Sequence, residues 1–454
     1  MIGSKPRLSP QTRVCWGFAG LVCLGTLFLS TPWASAGPEP VPVPDALFTA
    51  TSAVSLTGLV TVDTGTVWST AGRVTIALLI QFGGLGFMTM ASLLTLAISG
   101  RLGLSQNEDA QAEGRGVDHG EVVWVVRSTI LFTLGVELFI AAVLALRFSL
   151  AYPHSGILEP LWFGIFHAIS SFNNAGFALQ SDNMISFNTD PFILLPLALS
   201  LIIGGIGFPV LLELARRFRW YFFNHGQRRR WSLTARFTFI GTLSLIVAGT
   251  LLVLLAEWRG ALSTFGNQYH LKFLNAFFAG VSPRTAGFNA LDYANFHPST
   301  LLGTDILMVI GGGTGGTAGG VKVTTAAVLG AAVLAEIRGF NSTTLGARRV
   351  PSETIRRALA LLTLSLLLIV GAVTTLLFLA PQFTTDQIVF EVCSAFATVG
   401  LSTGITPDLP FSAQAVIICL MFAGRVGPLV LATAFASRNK PRYYDYPEER
   451  PSLG

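Results

Sequence analysis

Four short stretches of this chain carry the residues best suited to hold a bare cation: Leu56-Thr57-Gly58, Asn174-Ala175-Gly176, Thr285-Ala286-Gly287 and Thr398-Val399-Gly400. None contains a carboxylate, so the chemistry they offer is that of the backbone. Glycine accepts positive φ without a Cβ clash and lets a strand aim its carbonyl oxygens at an ion. Four such strands around one axis would stack carbonyl rings able to replace the hydration shell of a monovalent cation. Glycines can instead serve close helix packing, as small residues do in membranes. Packing, however, does not require the register seen here, in which Phe48, Phe166, Phe277 and Phe390 each stand ten residues before the Gly.

The triplets recur at intervals of roughly 110 to 120 residues, which marks one structural unit copied four times. A second small-residue cluster follows each: Gly83-Gly84-Leu85-Gly86, Gly204-Gly205-Ile206-Gly207, Gly311-Gly312-Gly313 and Ala423-Gly424-Arg425-Val426-Gly427, aligned on Gly84, Gly205, Gly312 and Gly424.

Hydrophobic residues make up 51% of the chain, charged residues 12%, and mean hydropathy is +0.62, whereas soluble domains carry roughly 25% charged residues. These values indicate an integral membrane protein. Eight apolar runs are long enough to cross a bilayer, near 14–34, 70–99, 122–147, 191–215, 235–257, 301–336, 358–380 and 410–436. Each copy supplies two crossings. Between them lie the apolar segments 46–55, 161–171, 271–281 and 387–397, too short to span and therefore expected as re-entrant half-helices. Their C-terminal ends, each about −0.5 charge, would face the triplets and favour a cation.

The expected fold class is thus all-α integral membrane, with eight transmembrane helices and four re-entrant pore helices in four parallel repeats around a pseudo-four-fold axis. An even number of crossings per repeat keeps all copies in the same direction, unlike the inverted repeats of rocking carriers. The chain divides into a tail (1–13), repeat 1 (14–100), a loop (101–121), repeat 2 (122–220), a loop (221–234), repeat 3 (235–337), a loop (338–357), repeat 4 (358–437) and a tail (438–454).

Most of the 29 Lys and Arg fall in the two tails and in the three loops that follow the second crossing of a repeat. The densest group is Arg216, Arg217, Arg219, Arg228, Arg229, Arg230 and Arg236. By the positive-inside bias those segments and both termini are cytoplasmic, and orientation accounts for the basic clusters without a nucleic-acid partner. Lys5, Arg7 and Arg13 before an apolar run ending Ala34-Ser35-Ala36 resemble a signal peptide, but cleavage would leave repeat 1 with a single crossing. Cys15, Cys23, Cys393 and Cys419 form neither a disulfide pattern nor a metal motif.

Val54-Ser55-Leu56-Thr57-Gly58-Leu59, Asn173-Asn174-Ala175-Gly176-Phe177, Arg284-Thr285-Ala286-Gly287-Phe288 and the run from Gly311 to Lys322 are similar to motifs of the Trk/Ktr/HKT superfamily of potassium transporters. The resemblance covers about residues 14–437 and is strongest to the ion-translocating subunit of bacterial Ktr systems. It implies K⁺ uptake with no enzymatic step and no bound cofactor, and Na⁺ dependence in several members. It also implies a membrane homodimer with one pore per protomer, regulated by a cytoplasmic RCK-type nucleotide-binding ring (KtrA-like). The plant HKT branch carries Ser at the position corresponding to Gly58. Two other readings stay open: a Na⁺-selective member of the superfamily, and a secondary carrier for a small solute.

The sixth crossing contains Gly311-Gly312-Gly313-Thr314-Gly315-Gly316-Thr317-Ala318-Gly319-Gly320, where a continuous helix is disfavoured by about 1 kcal/mol per glycine. The resemblance assigns this run, with Lys322, to an intramembrane gating loop below the filter. Residues 313–318 also satisfy a GxGxxA dinucleotide pattern, but no βαβ series surrounds them. Arg425 stands at the equivalent depth of the fourth copy, where an intramembrane charge is expensive. It is expected either as a barrier or latch in the conduction path or as a carbonyl-capping residue. Glu137 is a candidate counter-charge for Lys322 or Arg425, or a structural hydrogen-bond partner. Arg284 is expected to brace the third strand rather than touch the ion.

The charge asymmetry generates a first test. Reporter fusions after Gly226 and at the C-terminus should report cytoplasm, and fusions near His154 or Pro381 the outside. A reversal at the Arg-rich loop would invert the whole scheme.

Overall fold

The computed structural model describes residues 10–103, 119–153, 155–223, 231–313, 315–345 and 348–427. The first nine residues, most of the expected loops 101–121 and 221–234, residues 428–454 and Thr314 lie outside them. Sheet among the described residues is confined to the two-residue hairpin β1 (Thr344–Leu345) and β2 (Arg348–Arg349). The dinucleotide pattern at 313–318 therefore has no βαβ frame.

The helices run α1 (Pro10–Leu29), α2 (Val43–Ser55), α3 (Thr70–Gly103), α4 (His119–Ala151), α5 (Leu158–Phe172), α6 (Pro191–Ile206), α7 (Phe208–Phe223), α8 (Leu233–Ala256), α9 (Tyr269–Val281), α10 (Pro298–Val309), α11 (Val323–Ile337), α12 (Ser352–Leu379), α13 (Thr385–Ala397) and α14 (Phe411–Val426). Of these, α8, α12 and the Val126–Ala151 part of α4 are each long and apolar enough to cross a membrane. The outward face of α4 exposes Leu131, Leu134, Leu138, Phe139, Leu146 and Leu150, a stripe that water would not tolerate at this size and that lipid accepts. The short helices α2, α5, α9 and α13 are the buried ones.

Charged and hydroxyl side chains fasten the helix ends. Asp190 caps α6 by accepting from Phe192 N at 2.9 Å while taking Arg147 Nε at 2.8 Å and Tyr152 Oη at 3.0 Å, which ties the end of α4 to the start of α6. Glu257 closes α8 in the same manner, accepting from His297 N at 2.8 Å and Thr300 Oγ1 at 2.6 Å at the start of α10. Thr384 and Gln387 form a reciprocal capping box on α13.

One expected straight crossing is bent. The run 191–215 breaks at Gly207 (φ 97°), where the axes of α6 and α7 differ by 99°. Gly207 supplies the positive φ, and Pro209 belongs to the first turn of α7, where a missing N–H costs nothing. The same backbone recurs at Gly427 (φ 94°), which ends α14; the remainder of the crossing expected over 410–436 lies outside the described residues. A Gly with Pro one or two residues beyond it was the available signal.

The structure also moves two registers. The second small-residue series aligns on Gly83, Gly204 and Gly424 rather than on Gly84, Gly205 and Gly424. A Cβ at these positions would lie 2.3 Å from Val54 O, 1.9 Å from Phe172 O and 1.8 Å from Phe396 O. Each glycine thus leaves room for the last carbonyls of a short helix. In the third copy the fully buried ring is Phe278, while Phe277 is only partly buried. Phe48, Phe166 and Phe390 are the buried rings of the other copies, so the third copy is one residue shorter between its helix and its glycine.

Helices α8 and α9 cross at Gly249 and Gly280, where a Cβ on Gly280 would stand 2.5 Å from the backbone N of Thr250. Gly280→Leu should lower thermal stability in detergent, with an overpacking cost of about 1 to 3 kcal/mol. Gly371→Leu, on open surface of α12, should not, and thermal melts of the two variants make the comparison.

Candidate functional site

The site begins at the C-terminal ends of α2, α5, α9 and α13. Five non-glycine residues have positive φ among the described residues: Leu56 (59°), Asn174 (54°), Asn183 (59°), Thr285 (68°) and Thr398 (51°). Four of them open the triplets that the sequence singles out. The triplets end on glycines that are also left-handed, Gly58 (93°), Gly176 (72°), Gly287 (72°) and Gly400 (92°). In an ordinary strand successive carbonyls point to opposite sides; left-handed residues at alternate positions bring them to one side. For Leu and especially Thr such backbone costs of order 1 to 3 kcal/mol per residue and persists only where the surroundings enforce it.

The enforcement comes from four serines that sequence reasoning passed over. Thr57 N, Ala175 N, Ala286 N and Val399 N donate to the carbonyls of Ser52 (2.8 Å), Ser170 (2.8 Å), Ser282 (2.9 Å) and Ser394 (2.8 Å). The serine hydroxyls hold the far end of each strand. Ser52 Oγ and Ser394 Oγ accept from Gly58 N and Gly400 N, both at 3.0 Å, while Ser170 Oγ and Ser282 Oγ donate to Phe177 O and Phe288 O. A Ser six residues before the glycine in three copies, and five in the shortened third, was the signal.

The four strands close into a ring. A Cβ built on Gly58 would lie 2.5 Å from Ala175 O, one on Gly176 2.8 Å from Gly287 Cα, one on Gly287 2.4 Å from Val399 O, and one on Gly400 2.0 Å from Thr57 O. Each glycine is thus filled against the next strand in the order one, two, three, four, one. Asn183, the remaining left-handed residue, joins copies two and three: its Nδ2 donates to Gly176 O at 3.4 Å and its Oδ1 accepts from Asn289 N at 3.3 Å.

The glycine run lies across the helix-side end of this ring. Between α10 and α11 the backbone is irregular, pinned by Gly311 N to Val321 O (2.9 Å), Gly313 N to Gly205 O (2.9 Å), Thr317 N to Gly204 O (3.3 Å) and Val323 N to Gly312 O (3.1 Å). A Cβ on Gly312 or Gly316 would strike Gly205 O at 2.7 and 2.8 Å, and one on Gly319 would strike Thr398 Oγ1 at 2.1 Å. Gly320 is left-handed (φ 64°) and packs beside Ala397, as Gly315 (φ 83°) begins the turn before Thr317. The loop therefore touches the second strand on one flank and the fourth on the other.

Thr317 is its hub. Its carbonyl accepts from Arg425 Nη1, and its hydroxyl bonds the Asn174 side chain at 2.9 Å. With Asn174 Oδ1 toward the loop, its Nδ2 reaches Leu201 O at 3.2 Å and its Oδ1 takes Gly205 N at 3.2 Å, so that both the nitrogen and the oxygen are partnered. Lys322 donates to Ala318 O. Arg425, buried at 3% exposure, thus makes a carbonyl contact, and the carbonyl belongs to the glycine run.

Glu137 does not meet Lys322 or Arg425. It accepts from Gln81 Nε2 and Asn173 Nδ2, both at 3.0 Å, and so braces the residue before the second triplet. The amide pair satisfies the buried carboxyl locally. Arg284 reaches Thr242 O on α8 at 3.5 Å and so turns toward the neighbouring helix, not toward the ring.

Comparison with known proteins identifies the family and a related helical fold. A family model described as TrkH, cation transport protein, matches residues 28–446. The chain is 37% identical to Ktr system potassium uptake protein B of Bacillus subtilis (strain 168), over 97% of this chain and 96% of that protein. It is 36% identical to the protein of the same description from Vibrio alginolyticus, over 98% and 94%. It is 33% identical to potassium/sodium uptake protein NtpJ of Enterococcus hirae, over 99% and 98%. Among solved structures, the potassium transporter TrkH from Vibrio parahaemolyticus superposes with a TM-score of 0.74 over 95% of this chain and 86% of that one, at 19% identity. A helical membrane fold of this kind, with a family match over nearly its whole length, places the chain in the TrkH/Ktr family of cation transport proteins.

Proposed function

We propose that this chain is the ion-translocating subunit of a K⁺ uptake system of the cell membrane. Four parallel repeats of helix, pore helix and helix surround one pseudo-four-fold axis, with both termini cytoplasmic and the triplets opening outward. Residues 56–58, 174–176, 285–287 and 398–400 form the selectivity filter, and residues 311–320 with Lys322 and Arg425 form the gate below it. The observation that carries this reading is the closed ring of four strands with left-handed residues at alternate positions and no room for a Cβ on any glycine. Such a ring presents carbonyl oxygens to a cation with no carboxylate among the triplets, and the converging C-termini of four short helices add negative potential. A homodimer, a cytoplasmic nucleotide-binding ring as regulator and Na⁺ dependence complete the proposal. The Ktr names of the two relatives, which denote a multi-component system, support the regulator. The potassium/sodium description of the third keeps Na⁺ in view, as coupling ion or as cargo of a Na⁺-selective transporter.

Selectivity tests the filter. Gly58→Ser, Gly176→Ser and Gly287→Ser each drive a side chain into the next strand and should reduce K⁺ over Na⁺ discrimination by about tenfold or more. Ion-competition uptake in a K⁺-uptake-deficient bacterium, at matched protein level, measures it. Unchanged preference in all three would mean that the glycines pack and do not select.

Liposome flux tests the gate. Deleting Gly313 to Gly316 removes the bond to Gly205 O, and Arg425→Ala removes the hold on Thr317 O. Loss of one charge-assisted hydrogen bond from the closed state should raise flux roughly tenfold, with selectivity retained. Reduced or unchanged flux from folded protein would make the run a structural bend.

A further inference from the structure

The register of the four short helices places different chemistry at one equivalent position. The residue after the buried ring is Thr49 in copy one, His167 in copy two, Ala279 in copy three and Glu391 in copy four. Ala279 shows that the fold asks for nothing polar there. Thr49 Oγ1 is buried without a partner, so polarity in copy one does no bonding either. Yet the other two copies bury an imidazole and a carboxyl, each at 0% exposure. Burying such groups is costly unless they are bonded, and both are bonded to the chain just beyond a triplet.

Glu391 Oε2 accepts from Ser402 Oγ at 2.9 Å and Oε1 from Thr406 Oγ1. Ser402 lies two residues past Gly400, and its Oγ also accepts from Gly404 N at 2.9 Å, which fixes the turn there. Among the described residues no basic side chain pairs with Glu391, so its partners are these hydroxyls. His167 Nδ1 bonds Phe163 O at 2.8 Å and Nε2 accepts from Leu179 N at 3.3 Å, three residues past Gly176. This set of partners requires the neutral ring with its proton on Nδ1. The imidazole also lies 6.3 Å, centroid to centroid, from Phe288, the residue after Gly287. Copy one ties the same stretch from a different helix position, Asp45 accepting from Thr61 Oγ1 at 2.7 Å. Copy three uses Asn183 and Asn289.

We propose that His167 and Glu391 are positioning residues for the filter, a diagonal pair that clamps the exits of the second and fourth strands from behind. The ring order places copies two and four opposite each other. The serine tethers reach no further than the glycine in copies one and four and the residue after it in copies two and three, and in copies two and four His167 and Glu391 extend that hold to Leu179 and Ser402. Two opposed clamps therefore set the span across the ring in one direction. This inference rests on the filter reading above.

The test uses the full-length protein in liposomes, with K⁺ and Na⁺ flux measured in competition and thermal stability recorded in parallel. Glu391→Leu and His167→Leu should lower K⁺ over Na⁺ discrimination by about tenfold. Glu391→Gln and His167→Gln keep an acceptor for the same donors and should retain most of it. Ser402→Ala with Thr406→Val removes the Glu391 bonds from the loop side, should reproduce the Glu391→Leu loss, and should add nothing to it when combined. Gly400→Ser is the reference. If it abolishes selectivity while folded Glu391→Leu, His167→Leu and the loop double variant leave it intact, the clamp is overturned and the filter reading stands. If Gly400→Ser is also silent, the filter reading itself fails. Should the Leu variants not fold, the loop double variant decides alone.

Discussion

Everything in this protein depends on holding left-handed backbone at alternate positions of four strands so close that a Cβ cannot fit between them. Leu56, Asn174, Thr285 and Thr398 occupy a conformation that each would leave if released. The short helices hold it by two bonds per copy, a serine carbonyl to the backbone before the glycine and a serine hydroxyl to the backbone at or just past it. The long helices then serve chiefly to keep four serines in register around one axis. Their own small residues follow from the same demand: Gly83, Gly204 and Gly424 make room for the last carbonyls of α2, α5 and α13.

The glycine run between α10 and α11 is coupled to that ring by contact rather than by sequence proximity. Thr317 joins three elements: the second triplet through Asn174, the end of α6 through Gly204 and the fourth copy through Arg425. The run has few side chains to pack, and the hydrogen bonds that hold its described residues are each worth little in net terms. On the proposed reading, a segment held in this way shifts more readily than the ring, which is tethered twice in every copy. Rigidity at the ring and weak retention just beneath it are the two properties that selective and regulated permeation would need.

Four-fold repetition does not mean four equivalent copies. The third has lost one residue between helix and glycine, is broken into α10 and α11, and carries the glycine run. The second and fourth bend or end at Gly207 and Gly427 with nearly the same φ, while α3 of the first continues without a break. The helix position after the buried ring differs likewise, with His167 and Glu391 in the second and fourth copies and Thr49 and Ala279 in the first and third.

The amino-acid sequence alone determined the membrane setting, the short helices and the recurrence of the triplets. Each of these is written in local composition or in a repeat spacing that survives without knowledge of contacts. The family followed from the same motifs. What local pattern could not determine was anything set by approach between segments distant in the chain. The Phe277 spacing matched by coincidence where Phe278 is the buried ring, and the second glycine series shifted by one residue, because only contact with a carbonyl such as Phe172 O reveals which glycine must be bare. Glu137 went to two amides instead of a basic partner. Positive φ at Leu, Asn and Thr was invisible for the same reason: glycine advertises left-handed backbone by its type, whereas a residue with a Cβ adopts it only when tertiary bonds compel it.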